Sequence, residues 1–342
     1  MQTPRATELI DQGLVSRPDA VVEIRETIGD PRSGVGGRAY HIALSGGLTF
    51  EVLPDRGLDI GSLWHRGYPV AWRSALAATG PEADPAGRGW IGRFGGGMLV
   101  TCGLDNIGPA QGGFGLHGSH HATRASDVVV RRTPAAGVLI AGTVDSAAVF
   151  GRQVYLHREI EASADRARLT VRDRIVNDGT TTEPVALLYH LNFGAPFLMP
   201  GTRVEIPAGR HLAREQVPGC PSWQVFPEPT TRVEEAVWEH TDLVTDQTDT
   251  ANAVVCSAAL AVTATISWNA RALPRCVQWT YPSRRGWALG IEPANAPIFG
   301  PDRAGANAGA PLLEPGQSLE SGFTLDLMPR AAPHPAAVAF GP

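Results

Sequence analysis

Lysine is absent from this chain, and all 29 basic residues are arginines. That absence excludes Schiff-base catalysis, a lysine-anchored pyridoxal phosphate and a Walker-A phosphate lysine. An arginine-biased genome is the simple cause, and the chemical exclusion holds whatever the cause. Charge is sparse at 18%, with a net charge of −5 and a pI near 6.1. No basic footprint for nucleic acid or an anionic membrane exists. The four cysteines, Cys102, Cys220, Cys256 and Cys276, form no C-x-x-C pair. A chain of 342 residues is also far too long to be a disulfide-framed miniature domain. No stretch approaches the roughly 20 apolar residues of a bilayer span. Met1 to Arg5 lead into no basic-then-apolar secretory pattern. These absences lead to the expectation of a cytoplasmic protein with no nucleic-acid and no membrane partner.

Glycine and proline, at 39 and 28 residues, favour many short strands joined by tight turns over long helices. A free helix is expected only near Thr7–Leu14. Tyr40–Leu44 and Leu48–Leu53 flank Ser45-Gly46-Gly47, a hairpin signature. Val154–Glu161, Ala167–Asn177 and Glu183–His190 form a second strand set, and Gly179 is expected to supply positive φ in its turn. Ala167–Asn177 alternates polar and apolar residues, so one face is buried and the other wet, as in antiparallel sheets. Further strands are expected at Val128–Val130, Ala253–Cys256, Leu260–Trp268, Cys276–Tyr281, Trp287–Ile291 and Ser321–Leu327. No repeat, low-complexity tract or long linker divides the chain. The expectation is one large antiparallel β-sandwich domain over 1–342, with an N-terminal extension to about residue 20 and an extended tail from about 329.

Three segments carry candidate chemistry. His190 sits within the apolar run Leu187–Phe193, where a histidine is either a core residue satisfied by a neighbour or a group aimed into a site. Glu292 lies in Gly290-Ile291-Glu292-Pro293. His117 lies in Leu116-His117-Gly118, within a loop whose Gly113, Gly115 and Gly118 fit G-x-G-x-x-G. A dinucleotide fingerprint needs a strand before it and a helix after it, and this segment has neither. His117, His120 and His121 could also be read as metal ligands, but adjacent His120 and His121 point apart in an extended chain.

The order His–His–Glu resembles the galactose mutarotase-like (aldose 1-epimerase) superfamily. The turn Leu313–Gln317 is of a kind seen in the same superfamily, and Leu53–Gly61 and Gly95–Gly108 extend the likeness to the aldose 1-epimerase-like DUF4432 group, over roughly positions 40–327. It departs from the usual pattern around His190, where Tyr189 precedes and Asn192-Phe193-Gly194 follows, and after Glu292, where Pro293-Ala294-Asn295 follows. The resemblance implies the galactose mutarotase-like supersandwich and a cofactor-free isomerase that interconverts sugar anomers, or performs a related isomerisation. Glu292 would be the base, His190 an imidazolium acid and His117 a partner of the reacting oxygen. His190 and Glu292 would then face each other across one pocket, a sugar ring apart, with Trp64 or Trp279 as an apolar wall. Arg56, Asp59, Arg73, Arg93, Asp105, Asn106, Gln278 and Trp279 are the candidate substrate-binding residues. Asx turn capping competes with that role for Asp59 and Asp105, and structural ion pairing competes for Arg56 and Arg73. The expected partner is a monosaccharide or sugar derivative, with no metal or other cofactor, and a homodimer is left open. A non-catalytic carbohydrate-binding or sensor protein on the same fold is the alternative.

Overall fold

The computed structural model describes residues 4–28, 37–76, 88–232 and 234–330. Among these, an 11-stranded sheet runs in the order Val22–Ile28, Arg38–Leu44, Leu48–Leu53, Asp59–His65, Leu99–Leu104, Ala186–Phe193, Ala288–Ala294, Arg275–Tyr281, Ala236–Leu243 and Ala208–Ala213, with Tyr68–Pro69 paired to Asp59–His65. An eight-stranded sheet faces it: Arg203–Glu205, Thr250–Ser257, Val262–Asn269, Ser318–Pro329, Arg168–Asn177, Gln153–Ser163, Gly137–Ala147 and Ser126–Thr133. The main core packs the alternating inward residues of both, including Ile42, Phe50, Ile160, Val171, Tyr189, Phe193 and Leu325. The chain is therefore all-β, and its pairings are antiparallel throughout both sheets. No helix among the described residues is long and apolar enough to cross a membrane.

The N-terminal helix is shorter than expected, Ala6–Asp11, and the hairpin at Ser45-Gly46-Gly47 turns through Gly47 at φ 104°. Gly179 differs from expectation, having no positive φ. Its turn is instead made by Asn177, whose Oδ1 accepts from the Gly179 N–H at 3.0 Å. Glu183–His190 is two elements, because Glu183–Pro184 pairs with Leu312–Leu313 and the main-sheet strand is Ala186–Phe193. The strands Val22–Ile28, Gly137–Ala147 and Ala236–Leu243 had no clear signal in the sequence reading. Of the expected tail, residues 331–342 lie outside the described residues.

Ala186–Phe193 is buried at every position. Leu187, Tyr189, Leu191 and Phe193 face the inter-sheet core, whereas Ala186 and Leu188 join a second apolar cluster with Trp90, Val100, Cys102, Val277 and Ala294 on the outer face. The sheet thus has a covered outer face at its centre, and His190 belongs to it.

Behind His190 the two sheets are tied by charge. Arg158, fully buried, bonds both Asp173 oxygens at 2.9 and 2.7 Å and reaches Asp59 Oδ1 at 2.8 Å and Thr101 Oγ1 at 2.9 Å. Tyr189 donates its hydroxyl to Asp173 at 2.7 Å. These bonds join strands of both sheets through groups that burial would otherwise penalise heavily.

Candidate functional site

Register brings the two central groups together. Leu191 pairs with Ile291 and Leu188 with Ala294, so His190 stands directly opposite Glu292 on the outer face. Opposed side chains in an antiparallel pair start about 5 Å apart at Cβ. His190 Nε2 lies 3.1 Å from Glu292 Oε1. This corrects the expected separation by a sugar ring, because neighbouring strands leave no room for one between these two residues.

Gly290 makes the contact feasible. A Cβ there would lie 2.5 Å from Glu292 Oε1, 2.9 Å from His190 Cε1 and 3.2 Å from Trp279 Cβ. The pair is nevertheless under-bonded: His190 Nδ1 and Glu292 Oε1 are buried and neither has an aligned hydrogen-bond partner. Buried polar atoms in that state are candidates for a ligand's donors and acceptors.

Burial also sets the protonation. It pushes the Glu292 carboxyl well above its usual range, with Glu235 adding to the rise. It pushes His190 well below its usual value, with His117 adding to the fall. Desolvation thus favours neutral carboxyl plus neutral imidazole over the ionised base and imidazolium expected from sequence. Either arrangement holds one transferable proton, so the pair titrates as a unit.

His117 enters from the Leu116-His117-Gly118 loop at φ 58°, an uncommon conformation for a non-glycine residue. Its Nδ1 accepts from the Gly108 N–H at 3.2 Å, which leaves Nε2 as the donor, and burial lowers its pKa to about 4. Its ring lies 4.5 Å from that of Trp90 and 6.1 Å from that of His190. Aromatic contacts surround the pair: Phe94 at 5.3 Å and Trp279 at 5.5 Å from His190, Trp72 against both, and Tyr281 stacked on Trp279. Together with Arg214, Glu235, Arg284, Arg285 and Phe299 these groups line a cavity of about 640 Å³. Its size and apolar walls with a few convergent polar groups are those of a small-molecule site.

Only part of the expected binding set lines this cavity. His190, Glu292, His117 and Trp279 do. Gln278 does not: Val277, Trp279 and Tyr281 take the outer face, so Gln278 points inward and donates to Trp223 O at 2.8 Å. Asp59 belongs to the Arg158 network, where burial raises its pKa to about 6 against Arg158 and Thr101. Asp105 accepts from Asn106 N, Ser119 N and Ser119 Oγ, while Asn106 bonds Pro109 O, Gly115 O and Arg303. Both shape the His117 loop from behind. Arg73 reaches Ser62 and Glu51 on the neighbouring surface, and Trp64 lies by the same shallow groove, away from the cavity. Arg56 and Arg93 are near each other but outside the lining, and Arg56 is lowered by burial and by the charges of Arg73 and Arg93.

The three histidines considered as metal ligands diverge. His120 turns to Gly57 O at 3.2 Å, and His121 Nδ1 accepts from the Trp90 indole at 3.1 Å. Among the described residues no group of three or more histidines, cysteines or acids is placed to hold an ion.

The family model described as a domain of unknown function, DUF4432, matches residues 34–327. The chain belongs to the DUF4432 family. A structure from Klebsiella pneumoniae, provisionally named an aldose 1-epimerase, is 24% identical, with a TM-score of 0.79 over 90% of this chain and 83% of its own. A galactose mutarotase-like protein from Clostridium acetobutylicum is 16% identical, with a TM-score of 0.63 over 91% and 99%. Galactose 1-epimerase from Lactobacillus acidophilus is 12% identical, with a TM-score of 0.59 over 91% and 100%. At these identities the likeness establishes the fold, so this DUF4432 chain has the galactose mutarotase-like sandwich. A search of the curated proteins finds no match.

Sequence reasoning missed Trp72, Trp90, Phe94, Tyr281 and Gly290 as parts of the site. Strand alternation was the available signal, from Trp279 to Tyr281 and from Glu292 to Gly290. Nothing local marks Trp72 and Phe94, which arrive from loops, or Trp90, which sits on the short helix Arg88–Ile91.

Proposed function

We propose that this protein is an aldose 1-epimerase-like isomerase that interconverts sugar anomers without a cofactor. The observation that carries the reading is the His190–Glu292 contact at 3.1 Å on the floor of an aromatic cavity that also holds His117. In the arrangement with Glu292 ionised and His190 protonated, Glu292 takes the proton of the anomeric hydroxyl while His190 gives a proton to the ring oxygen. In the neutral arrangement that burial favours, the two roles exchange. The C1–ring oxygen bond breaks, the C1–C2 bond turns, and reclosure on the other face returns both protons. The pair begins with one transferable proton and ends with one. Each half-reaction converts one of its two arrangements into the other, so no outside acid or base is consumed. General acid–base groups of this kind supply about 10²–10⁴-fold each. His117 Nε2–H donates to the reacting oxygen, and Trp279 and Phe94 offer apolar faces to the ring.

The test is NMR exchange between α and β anomers across a panel of free sugars. Acceleration by the wild type is expected, with Glu292→Gln and His190→Ala each lowering it by at least about 10²-fold while sugar binding persists. Binding without any acceleration would instead establish the carbohydrate-binding or sensor alternative.

A further inference from the structure

We infer that the sugar taken by this site carries an anionic group, held at the cavity mouth by Arg284 and Arg285. This rests on the sugar-site reading and narrows its substrate class. Among the described residues the charged side chains lining the cavity are Arg214, Glu235, Arg284, Arg285 and Glu292. Arg214 is committed to Glu215 and Glu235 at 2.7 and 3.0 Å, and the other Glu235 oxygen accepts from the Trp279 indole at 2.8 Å. Glu292 is opposed by His190. Arg284 and Arg285 remain, exposed at the rim, and among the described residues neither guanidinium has a hydrogen-bond or ion-pair partner.

Two adjacent unpaired arginines on a loose loop would mean little, but this loop is fixed. Arg284 N–H donates to Thr230 O at 2.8 Å, and Gly286 and Trp287 N–H both donate to Ser283 O at 2.9 Å. The Trp287 indole donates to Leu198 O at 2.8 Å, and the Trp72 indole donates to Gly286 O at 2.5 Å. Tyr281 packs so closely on Gly286 that a Cβ there would sit 2.1 Å from its ring. Arg285 is held at φ 70° and Trp287 at φ 50°, conformations that persist only where surrounding contacts over-determine them. Trp72 and Tyr281 also belong to the aromatic wall beside His190, so the loop that carries the arginines is keyed to the reacting floor. Two guanidiniums with fixed backbones and an otherwise balanced cavity match a carboxylate, phosphate or sulfonate, which their planar donors bind in pairs.

The experiment compares glucose and galactose with glucuronate, galacturonate and glucose 6-phosphate in the anomer-exchange assay at fixed ionic strength. For an anionic probe kcat/KM is expected to exceed that of its neutral parent by about 10-fold or more. In Arg284→Gln/Arg285→Gln that ratio should fall toward one, mainly through KM. Arg284→Lys/Arg285→Lys should retain part of it. Circular dichroism and Tm report whether each variant is folded. The uronate and phosphate arms decide which oxyanion is meant. A wild-type ratio near one, or a ratio unmoved in the folded glutamine variant, overturns the inference. If no sugar shows exchange, the catalytic reading fails and tryptophan fluorescence titration decides the anion question. Binding of glucuronate or glucose 6-phosphate that weakens at least 10-fold in the glutamine variant supports it, and no binding of any anionic probe defeats it.

Discussion

At the scale of single residues, Gly290 shows how much a site can depend on an atom that is not there. Its φ is outside the positive range, so its backbone would accept any L residue. The obstacle is space, since an added methyl meets Glu292, His190 and Trp279 together. Gly290→Ala therefore changes neither charge nor hydrogen-bonding groups, yet it forces apart the two side chains proposed to exchange protons. Anomer exchange should fall by about 10-fold or more, and overpacking should cost about 1–3 kcal/mol of stability in a denaturant titration. Activity equal to wild type would show that the His190–Glu292 contact is dispensable. Tyr189 and His190 make the complementary point: neighbours in sequence, they serve opposite faces, one bonding Asp173 in the core and the other meeting Glu292 in the cavity.

At the scale of elements, strands place the reacting pair and a loop places the third histidine. The loop is held from behind by Asp105, which accepts three hydrogen bonds and lies where a Cβ on Gly118 would come within 2.2 Å of its Oδ1. Asp105→Ala should release Ser119 and Asn106 and let His117 drift. A misplacement of about 1 Å can cost about 10²-fold in rate, so kcat should drop while sugar binding weakens less. A loss confined to KM would assign Asp105 to substrate contact instead. The strands themselves were legible because their period of two is written in Tyr40–Leu44, Leu48–Leu53 and Ala167–Asn177. The same period shows why Gln278 and Trp279 could not both face the sugar. Asp59, Asp105 and Asn106 were singled out as binding groups because short polar motifs look alike whether they bond a ligand or the protein's own backbone. The cavity walls were not legible, because Trp72 and Phe94 reach it from irregular segments and Trp90 from one short helical turn, and only tertiary packing decides the direction of each.

At the scale of the whole molecule, the site stands on a charged tie between sheets, and both contribute to pH sensitivity. Arg158→Ala would leave Asp59 and Asp173 buried without their cation, a change expected to cost about 3–5 kcal/mol. A thermal melt unchanged by it would show that the tie carries no net stability. The acid limb follows from the histidines. Burial lowers His117 to about 4, His121 and His240 to about 3, and His120 well below its ordinary value. A depressed histidine leaves stability intact above about pH 6.5, where both folded and unfolded forms are neutral, and removes it as pH falls and only the unfolded chain takes up protons. Asp59, raised to about 6, has the opposite sign: its contribution is present at low pH and lost as pH rises through 6. The His190–Glu292 pair keeps one proton when folded, and unfolded near pH 5.5 the two groups also hold about one, so it nearly cancels. Four histidines held neutral, with His65 and His211 lowered in the same direction by burial, outweigh one carboxylate, so unfolding takes up protons on balance. Between about pH 6.5 and 5 the unfolding free energy should therefore fall as pH falls, by about 1.4 kcal/mol per pH unit for each proton taken up, against the 5–15 kcal/mol typical of a domain. Urea titrations across that range, with proton uptake measured in parallel, check the slope. A flat profile, or stability rising as pH falls, would mean that these histidines are not held neutral by burial.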